Sequence, residues 1–170
     1  MLDYTYDYNF KICITAMNII LMLMVQYPGD VKSKVKKIED VMIEKICDLK
    51  MAVRQIAAKV LRKIFDNGNK DSAKKLLTKL STCSVVGKEE ILIFLQDYYS
   101  DVYPADLNLI LNEIAGQLSN ENTKIKIKTL DCLVKISLSS NINDAKYILQ
   151  KKLNRVYYDM FLERLKERQP

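Results

Sequence analysis

The residue types that could do chemistry in this chain are few and poorly spaced for it. The 170 residues contain no histidine, which removes the commonest general base and metal ligand. The run Val86–Glu89 is not a phosphate-binding loop, because it lacks the upstream glycine and the Ser or Thr that must follow the lysine. Glu89 and Glu90 lie together at a predicted helix start, where the helix macrodipole explains them. The sequence therefore predicts a non-enzymatic protein with no cofactor, no metal and no small-molecule substrate.

The cysteines and the longest apolar segment indicate the compartment. Cys13, Cys47, Cys83 and Cys132 are scattered and form no C-x-x-C pair, a pattern typical of buried free thiols in a reducing environment. The apolar run Ile12–Val25 is too short to span a bilayer and has no basic segment before it. We therefore expect a cytoplasmic chain with neither a signal peptide nor a membrane partner.

The charge balance favours an acidic partner without identifying it. Lys and Arg number 27 against 21 Asp and Glu, which gives a net charge of +6. Such a balance suits an acidic protein surface, a nucleic acid or an anionic lipid, and equally a solvated basic surface with no partner. The lysines are dispersed and lack interleaved aromatic residues on one face, which disfavours nucleic-acid binding.

A seven-residue phrase recurs along the chain and predicts its architecture. It begins at Asp7, at Asp48 and at Asn120, and a degenerate copy is expected near Ser84. In each copy a polar turn precedes an apolar helix, and the copies are separated by about one or two periods of ~36 residues. Such a period is the signature of stacked helix pairs, so the phrase predicts an all-α solenoid.

Apolar residues at helical spacing, with few glycines and prolines, predict about eight helices in a single domain spanning 1–170. The first helix is apolar around most of its surface, so we expect neighbours on both sides of it. Asn141 is the predicted N-cap of the last helix. The predicted helices span 7–27, 30–47, 50–66, 71–81, 88–99, 104–118, 122–139 and 142–166.

These phrases resemble a known family. Asp48, Val53 and Arg54, followed by two alanines, resemble the HEAT-repeat consensus. Together with Asp7-Tyr8-Asn9-Phe10-Lys11, they resemble TOG domains, the tubulin-binding HEAT arrays of CLASP, crescerin and related ciliary-tip proteins. The resemblance is good over 3–66, fair over 104–139 and weak around 82–90. It implies a module that binds tubulin or microtubules in the cytoskeleton, in a cilium or at a centrosome.

The resemblance also implies which residues would contact the partner. In TOG domains the turns within each repeat contact tubulin, and nine positions here match that edge. They are Asn9, Lys11, Lys50, Met51, Arg54, Lys88, Asn122, Lys124 and Lys126. A TOG domain usually presents a large aromatic residue, often Trp, on its first turn, whereas this chain has no Trp and begins at the second helix of a repeat. We therefore expect an array that lacks its first repeat, either because an upstream part is missing or because the array is degenerate.

Structural interpretations remain open for the same residues. Each lysine of the turns taken alone is explained by solvation, and Asp48 and Arg54 by pairing with each other or with the next repeat. The lysines of 32–37 are interpreted as a solvated helix face. Tyr4, Tyr6 and Tyr8 are interpreted as residues that a preceding repeat would cover; if they are exposed, they mark a docking surface or a truncation. The alternative function is a HEAT scaffold for a protein other than tubulin.

Overall fold

The computed structural model describes residues 1–66, 71–102 and 107–168, which are helical or lie in turns and bends, with no strand among them. Short 3-10 helices span Leu2–Tyr6, Lys32–Lys34 and Gly116–Ser119. The α-helices are α1 (Phe10–Gln26), α2 (Pro28–Val31), α3 (Val35–Lys45), α4 (Met51–Asp66), α5 (Asp71–Thr82), α6 (Val85–Val102), α7 (Leu107–Ala115), α8 (Thr123–Leu138), α9 (Ile142–Lys152) and α10 (Arg155–Arg168).

The chain divides into two compact units, here called unit 1 (Met1–Glu90) and unit 2 (Ile91–Pro170). In unit 1, α1 and α3 both pack against α4, and α5 packs against α3. In unit 2, α7 packs against α8 and α9, and α8 packs against α10. Each unit thus has its own layers of packed helices. That the two form one domain spanning 1–170 stays a prediction.

Helix α4 shows how the sequence pattern produces the core of unit 1. Val53, Val60, Leu61 and Ile64 recur at helical spacing, and all four are buried. Removing a side chain of this size from water contributes roughly 1.5–3 kcal/mol. The apolar stripe predicted for the helix over 50–66 is therefore the face that packs against α1 and α3.

Two of the predicted helices are interrupted. The helix predicted over 30–47 is broken by the 3-10 turn Lys32–Lys34, and α3 begins only at Val35. The helix predicted over 142–166 is two helices, because Leu153 is extended with ψ 146°. The side-chain oxygen of Asn154 then accepts a hydrogen bond from the Tyr157 amide at 3.0 Å, which starts α10. Asn141 caps α9 as predicted, accepting from the amides of Asn143 and Asp144.

Another boundary differs from the prediction, and one cannot be compared with it. Helix α6 begins at Val85 rather than at 88, because the Ser84 hydroxyl and carbonyl accept bonds from the amides of Gly87 and Lys88 at 3.4 and 2.8 Å. The predicted start at 104 lies outside the described residues, and α7 is described from Leu107.

Helix α1 is covered on one side, so the expectation of neighbours on both sides was wrong. Cys13, Met17 and Met24 face the core, whereas Met22 and Val25 are 57% and 58% exposed. Two grooves of about 440 and 460 Å³ run beside α1, and Met1 lines both. Among the described residues, no single helix has the length and apolar character to cross a membrane; only α1 joined to the segment Pro28–Lys45, with a bend of 118°, meets that criterion.

Candidate partner-binding turns

The three copies of the sequence phrase form the same hydrogen-bonded turn. The first residue of each copy accepts a hydrogen bond through its side-chain oxygen from the amide two residues later. The pairs are Asp7 with Asn9 at 2.8 Å, Asp48 with Lys50 at 2.8 Å, and Asn120 with Asn122 at 2.9 Å. These are Asx turns, and we call them the Asp7, Asp48 and Asn120 turns. In each, the α-helix begins three residues after the Asp or Asn.

Two of the predicted contact residues are helix caps. The side-chain oxygens of Asn9 and Asn122 accept from the amides of Lys11 and Lys124 at 3.1 and 2.9 Å. A side chain at this position satisfies one of the amides that a helix start leaves without a partner. Asn9 and Asn122 therefore hold the helix starts, which sequence reasoning recognised for Asn141 but not for them.

The middle residue of each turn points into solvent. Tyr8 is 107% exposed and Leu49 is 80% exposed, and Glu121 is exposed at the matching position. The middle residue carries no hydrogen bond of the Asx turn, so its type is free to vary. Leu49 was not among the predicted contact residues. The signal that could have found it is an apolar residue in the middle of the turn, where the side chain takes no part in the hydrogen bonds.

The Asp7 and Asp48 turns adjoin in unit 1. The Lys50 ammonium lies 5.8 Å from the centroid of the Phe10 ring, within the range of a cation–π contact. Met51, next to Lys50, is 62% exposed, and Lys11 is exposed in the first turn of α1. Basic and apolar side chains thus share one surface here.

Arg54 turns back onto its own loop. Its Nη1 donates to the carbonyls of Asp48 and Leu49 at 2.9 and 3.0 Å, and its Nε lies 3.5 Å from the Glu90 carboxylate. Only 11% of its side chain is exposed. Arg54 therefore ties the Asp48 turn to α6. This supports the structural interpretation, with the difference that Asp48 contributes its carbonyl rather than its carboxylate.

The remaining predicted residues lie in two places. Lys88, in the first turn of α6, is half-buried, and its ammonium donates to the Ser81 carbonyl at 3.4 Å. We call residues 84–88 the Ser84 turn. It lies where the degenerate copy was expected and packs beside the Asp48 turn, but its side-chain bond spans three residues rather than two. Lys124 is exposed and Lys126 half-buried, and both follow the Asn120 turn in unit 2. The lysines at 32, 34, 36 and 37 are exposed, as predicted for a solvated face.

The aromatic cluster before the Asp7 turn is partly engaged. The Tyr6 hydroxyl donates to the Glu44 carboxylate at 2.8 Å, and the Lys45 ammonium lies 4.5 Å from its ring. Partial desolvation and this carboxylate raise the pKa of Tyr6 to about 12. Tyr4 is 60% exposed. Tyr6 therefore fixes the N-terminal segment to α3. No group of three or more possible metal ligands occurs within the described part of the chain.

The fold matches solved TOG domains. One match is a structure of crescerin, which uses a TOG domain array to regulate microtubules in the primary cilium. The alignment has a TM-score of 0.81 and 16% sequence identity, and it covers 99% of this chain and 72% of the crescerin chain. Another match is a structure from work on TOG–tubulin binding specificity, which promotes microtubule dynamics and mitotic spindle formation. Its alignment has a TM-score of 0.74 and 21% sequence identity, and it covers 95% of this chain and 63% of the other. No family model and no curated protein matches the sequence.

At these identities the comparison establishes the fold. The chain is an all-α array of HEAT-like helix pairs with the architecture of a TOG domain, which confirms the predicted fold class. The chain spans less than two thirds of the second solved structure. The roles of the nine predicted contact residues and the absence of a first repeat stay predictions.

Proposed function

We propose that this chain is a non-enzymatic tubulin-binding module that contacts its partner through the turns between paired helices. The observation that carries the proposal is the recurrence of one Asx turn in the same register, each followed by an exposed lysine or methionine. The solved structures of the same fold come from proteins that regulate microtubules or bind tubulin. A binder of this kind acts at the cytoskeleton, in the cytoplasm, in a cilium or at a centrosome.

The charge and shape of the turns in unit 1 support an acidic protein surface as the partner. Lys11 and Lys50 are exposed beside two exposed apolar side chains, Leu49 and Met51. Lysines steer the encounter with an acidic surface and add less to affinity than to rate, whereas apolar side chains supply the buried contact area. Arg54 is occupied by its own loop, so we assign it to positioning the turn rather than to contact.

Charge reversal at the turns tests the proposal. Lys50→Glu combined with Lys124→Glu should weaken binding to free tubulin, measured by gel filtration or by fluorescence titration, by about tenfold or more. Lys59→Glu is the matched control, since Lys59 is equally exposed on α4 but lies two turns from the Asp48 turn. Equal loss in the control, or undiminished binding in the double variant, would contradict contact through the turns.

A second candidate is a scaffold for another protein. The exposed face of α1 favours it, because Ile19, Met22 and Val25 present apolar surface that tubulin contact through the turns leaves unused. A pull-down that recovers a defined non-tubulin protein, and loses it with Met22→Glu but not with Lys50→Glu, would favour the scaffold. Loss with Lys50→Glu alone would favour the tubulin binder.

A further inference from the structure

Two cysteines meet where the Asp48 and Ser84 turns adjoin. Cys47 immediately precedes Asp48, and Cys83 immediately precedes Ser84. The thiols of Cys47 and Cys83 donate to the carbonyls of Ile43 and Leu80 at 3.9 Å each. They lie close enough for each to affect the ionisation of the other, and both residues are half-buried and reduced. The residues on either side of Cys83, Thr82 and Ser84, are exposed, so small reagents can reach this pair from solvent.

A glycine makes this meeting possible. A Cβ atom placed on Gly87 would lie 2.9 Å from the Cβ of Cys47 and 3.0 Å from its Cα and Sγ, closer than real side chains approach. The first turn of α6 therefore packs with bare backbone against Cys47. Cys83 lies four residues before Gly87, in the bend that leads into α6, so the packing of Gly87 on Cys47 places Cys83 nearby.

The surroundings give the two thiols different roles. The neighbouring Cys47 thiol lowers the pKa of the Cys83 thiol, and the charges of Lys88 and Lys79 act in the same direction against partial burial. The neighbouring Cys83 thiol, together with burial, raises the pKa of Cys47. Thiolate character in an electropositive, accessible place is what makes a cysteine reactive. By contrast, burial raises the pKa values of Cys13 and Cys132, and both are buried.

We propose that Cys47 and Cys83 are a dithiol site that hydrogen peroxide oxidises to an intramolecular disulfide. The Cys83 thiolate attacks one peroxide oxygen, so that an S–O bond forms as the O–O bond breaks, and the departing hydroxide takes a proton to become water. The Cys47 thiol then loses its proton and attacks the sulfenic sulfur; the S–S bond forms, and the hydroxyl leaves as a second water. Two thiols are oxidised and one peroxide is reduced to two waters.

The placement of the pair gives the disulfide a structural effect. The bond would link the residue before the Asp48 turn to the residue before the Ser84 turn, 36 positions apart in the chain. The Asp48 turn is already joined to α6, the helix that follows the Ser84 turn, by Arg54 and Glu90. The inference rests on the geometry of unit 1 alone and does not depend on tubulin binding.

The experiment exposes the reduced full-length chain to a small excess of hydrogen peroxide, followed by alkylation and intact-mass analysis. We expect a loss of about 2 Da, two thiols protected from alkylation, and one tryptic species that links Cys47 to Cys83. The double variant Cys13→Ser, Cys132→Ser is the matched control and should behave as the wild type does. Cys47→Ser should stop at a sulfenic acid on Cys83 that dimedone traps.

Two outcomes would overturn the proposal. One is oxidation of wild-type Cys83 to a sulfinic acid while Cys47 remains free, and the other is a disulfide that joins two chains or uses Cys13 or Cys132. Phenylarsine oxide gives a test that needs no variant, because it bridges only neighbouring thiols. One equivalent should bind the wild-type chain and remove two alkylation sites, and failure to do so would equally count against the pair.

Discussion

The Asp48 and Asn120 turns share their backbone and differ in what surrounds it. Both close with the same bond, from an amide to a side-chain oxygen two residues earlier, at 2.8 and 2.9 Å. Arg54 at the Asp48 turn is folded back onto two carbonyls, whereas Lys126, at the matching position, is half-exposed and lacks the fork-shaped guanidinium that can bind both. The repeated phrase therefore fixes the turn, and the seventh residue decides whether the turn is also tied to its neighbour.

The largest expected difference in stability comes from the seventh residue of the phrase, which is Arg54 after the Asp48 turn and Lys126 after the Asn120 turn. Arg54→Ala should lower the free energy of unfolding by about 2 kcal/mol, because it removes two charge-assisted hydrogen bonds and leaves two carbonyls without this donor. Lys126→Ala should change it by less than about 0.5 kcal/mol. Urea denaturation followed by circular dichroism measures both. Equal losses would show that the two turns are tied to the same degree.

The shared bond should respond equally in both turns. Asp48→Ala and Asn120→Ala each remove the side-chain oxygen that accepts the turn amide, and each should cost about 1 kcal/mol of unfolding free energy. Asp48→Asn is the matched control, since it keeps the acceptor and should cost only a few tenths of that value. If either alanine variant were as stable as the wild type, the Asx turn would not be what starts that helix.

The smallest expected effect on stability concerns the residue immediately before a turn, which is Tyr6 at the Asp7 turn and Ser119 at the Asn120 turn. Tyr6 reaches Glu44 on α3, whereas Ser119 donates only to the nearby Gly116 carbonyl at 2.7 Å. The pKa of Tyr6 is raised to about 12, so the folded state holds the phenol proton more tightly than the unfolded chain does. This contribution is complete below pH 10 and is lost as the pH rises through about 12.

The readout for Tyr6 is the difference in stability between the wild type and Tyr6→Phe, which cancels the titration of other groups. That difference should shrink from pH 9 to pH 12, and by a small amount because Tyr6 is half-exposed. Ser119→Ala should give a difference that does not vary over the same range. A Tyr6 difference independent of pH would mean that the bond to Glu44 does not contribute in solution.

The parts of the fold that the sequence predicts are those that neighbours along the chain decide. The Asp48 and Asn120 turns bond over two residues, and their recurrence in the sequence placed the starts of α4 and α8 to within one residue. The first helix begins at Phe10 rather than at 7, because residues 7 to 9 form the Asp7 turn. The break at Leu153 was missed because the apolar stripe continues through Val156 and Tyr157. Only the side chain of Asn154, which accepts from the Tyr157 amide, marks the start of a new helix. A weak local signal was outweighed by a strong periodic one.

The parts that depend on distant residues could not be predicted. The ion pair of Arg54 needs Glu90, 36 positions away, and the packing of Cys47 needs Gly87, 40 positions away. The open face of α1 is a similar case, since its uniform apolar composition suggested burial on both sides. Nothing in a helix's own sequence states how many neighbours it has.

The local closure of the three Asx turns has a consequence for how the chain folds. Starting a helix is the costly step, because several residues must be fixed before the first hydrogen bond is gained. An acceptor two residues away lowers that cost without waiting for a long-range contact, so each turn provides its own nucleation point. Helix pairs built on such turns need few contacts between distant residues, and low contact order gives fast folding. The repeated phrase thus favours rapid formation of the helices that follow it, in addition to marking where they begin.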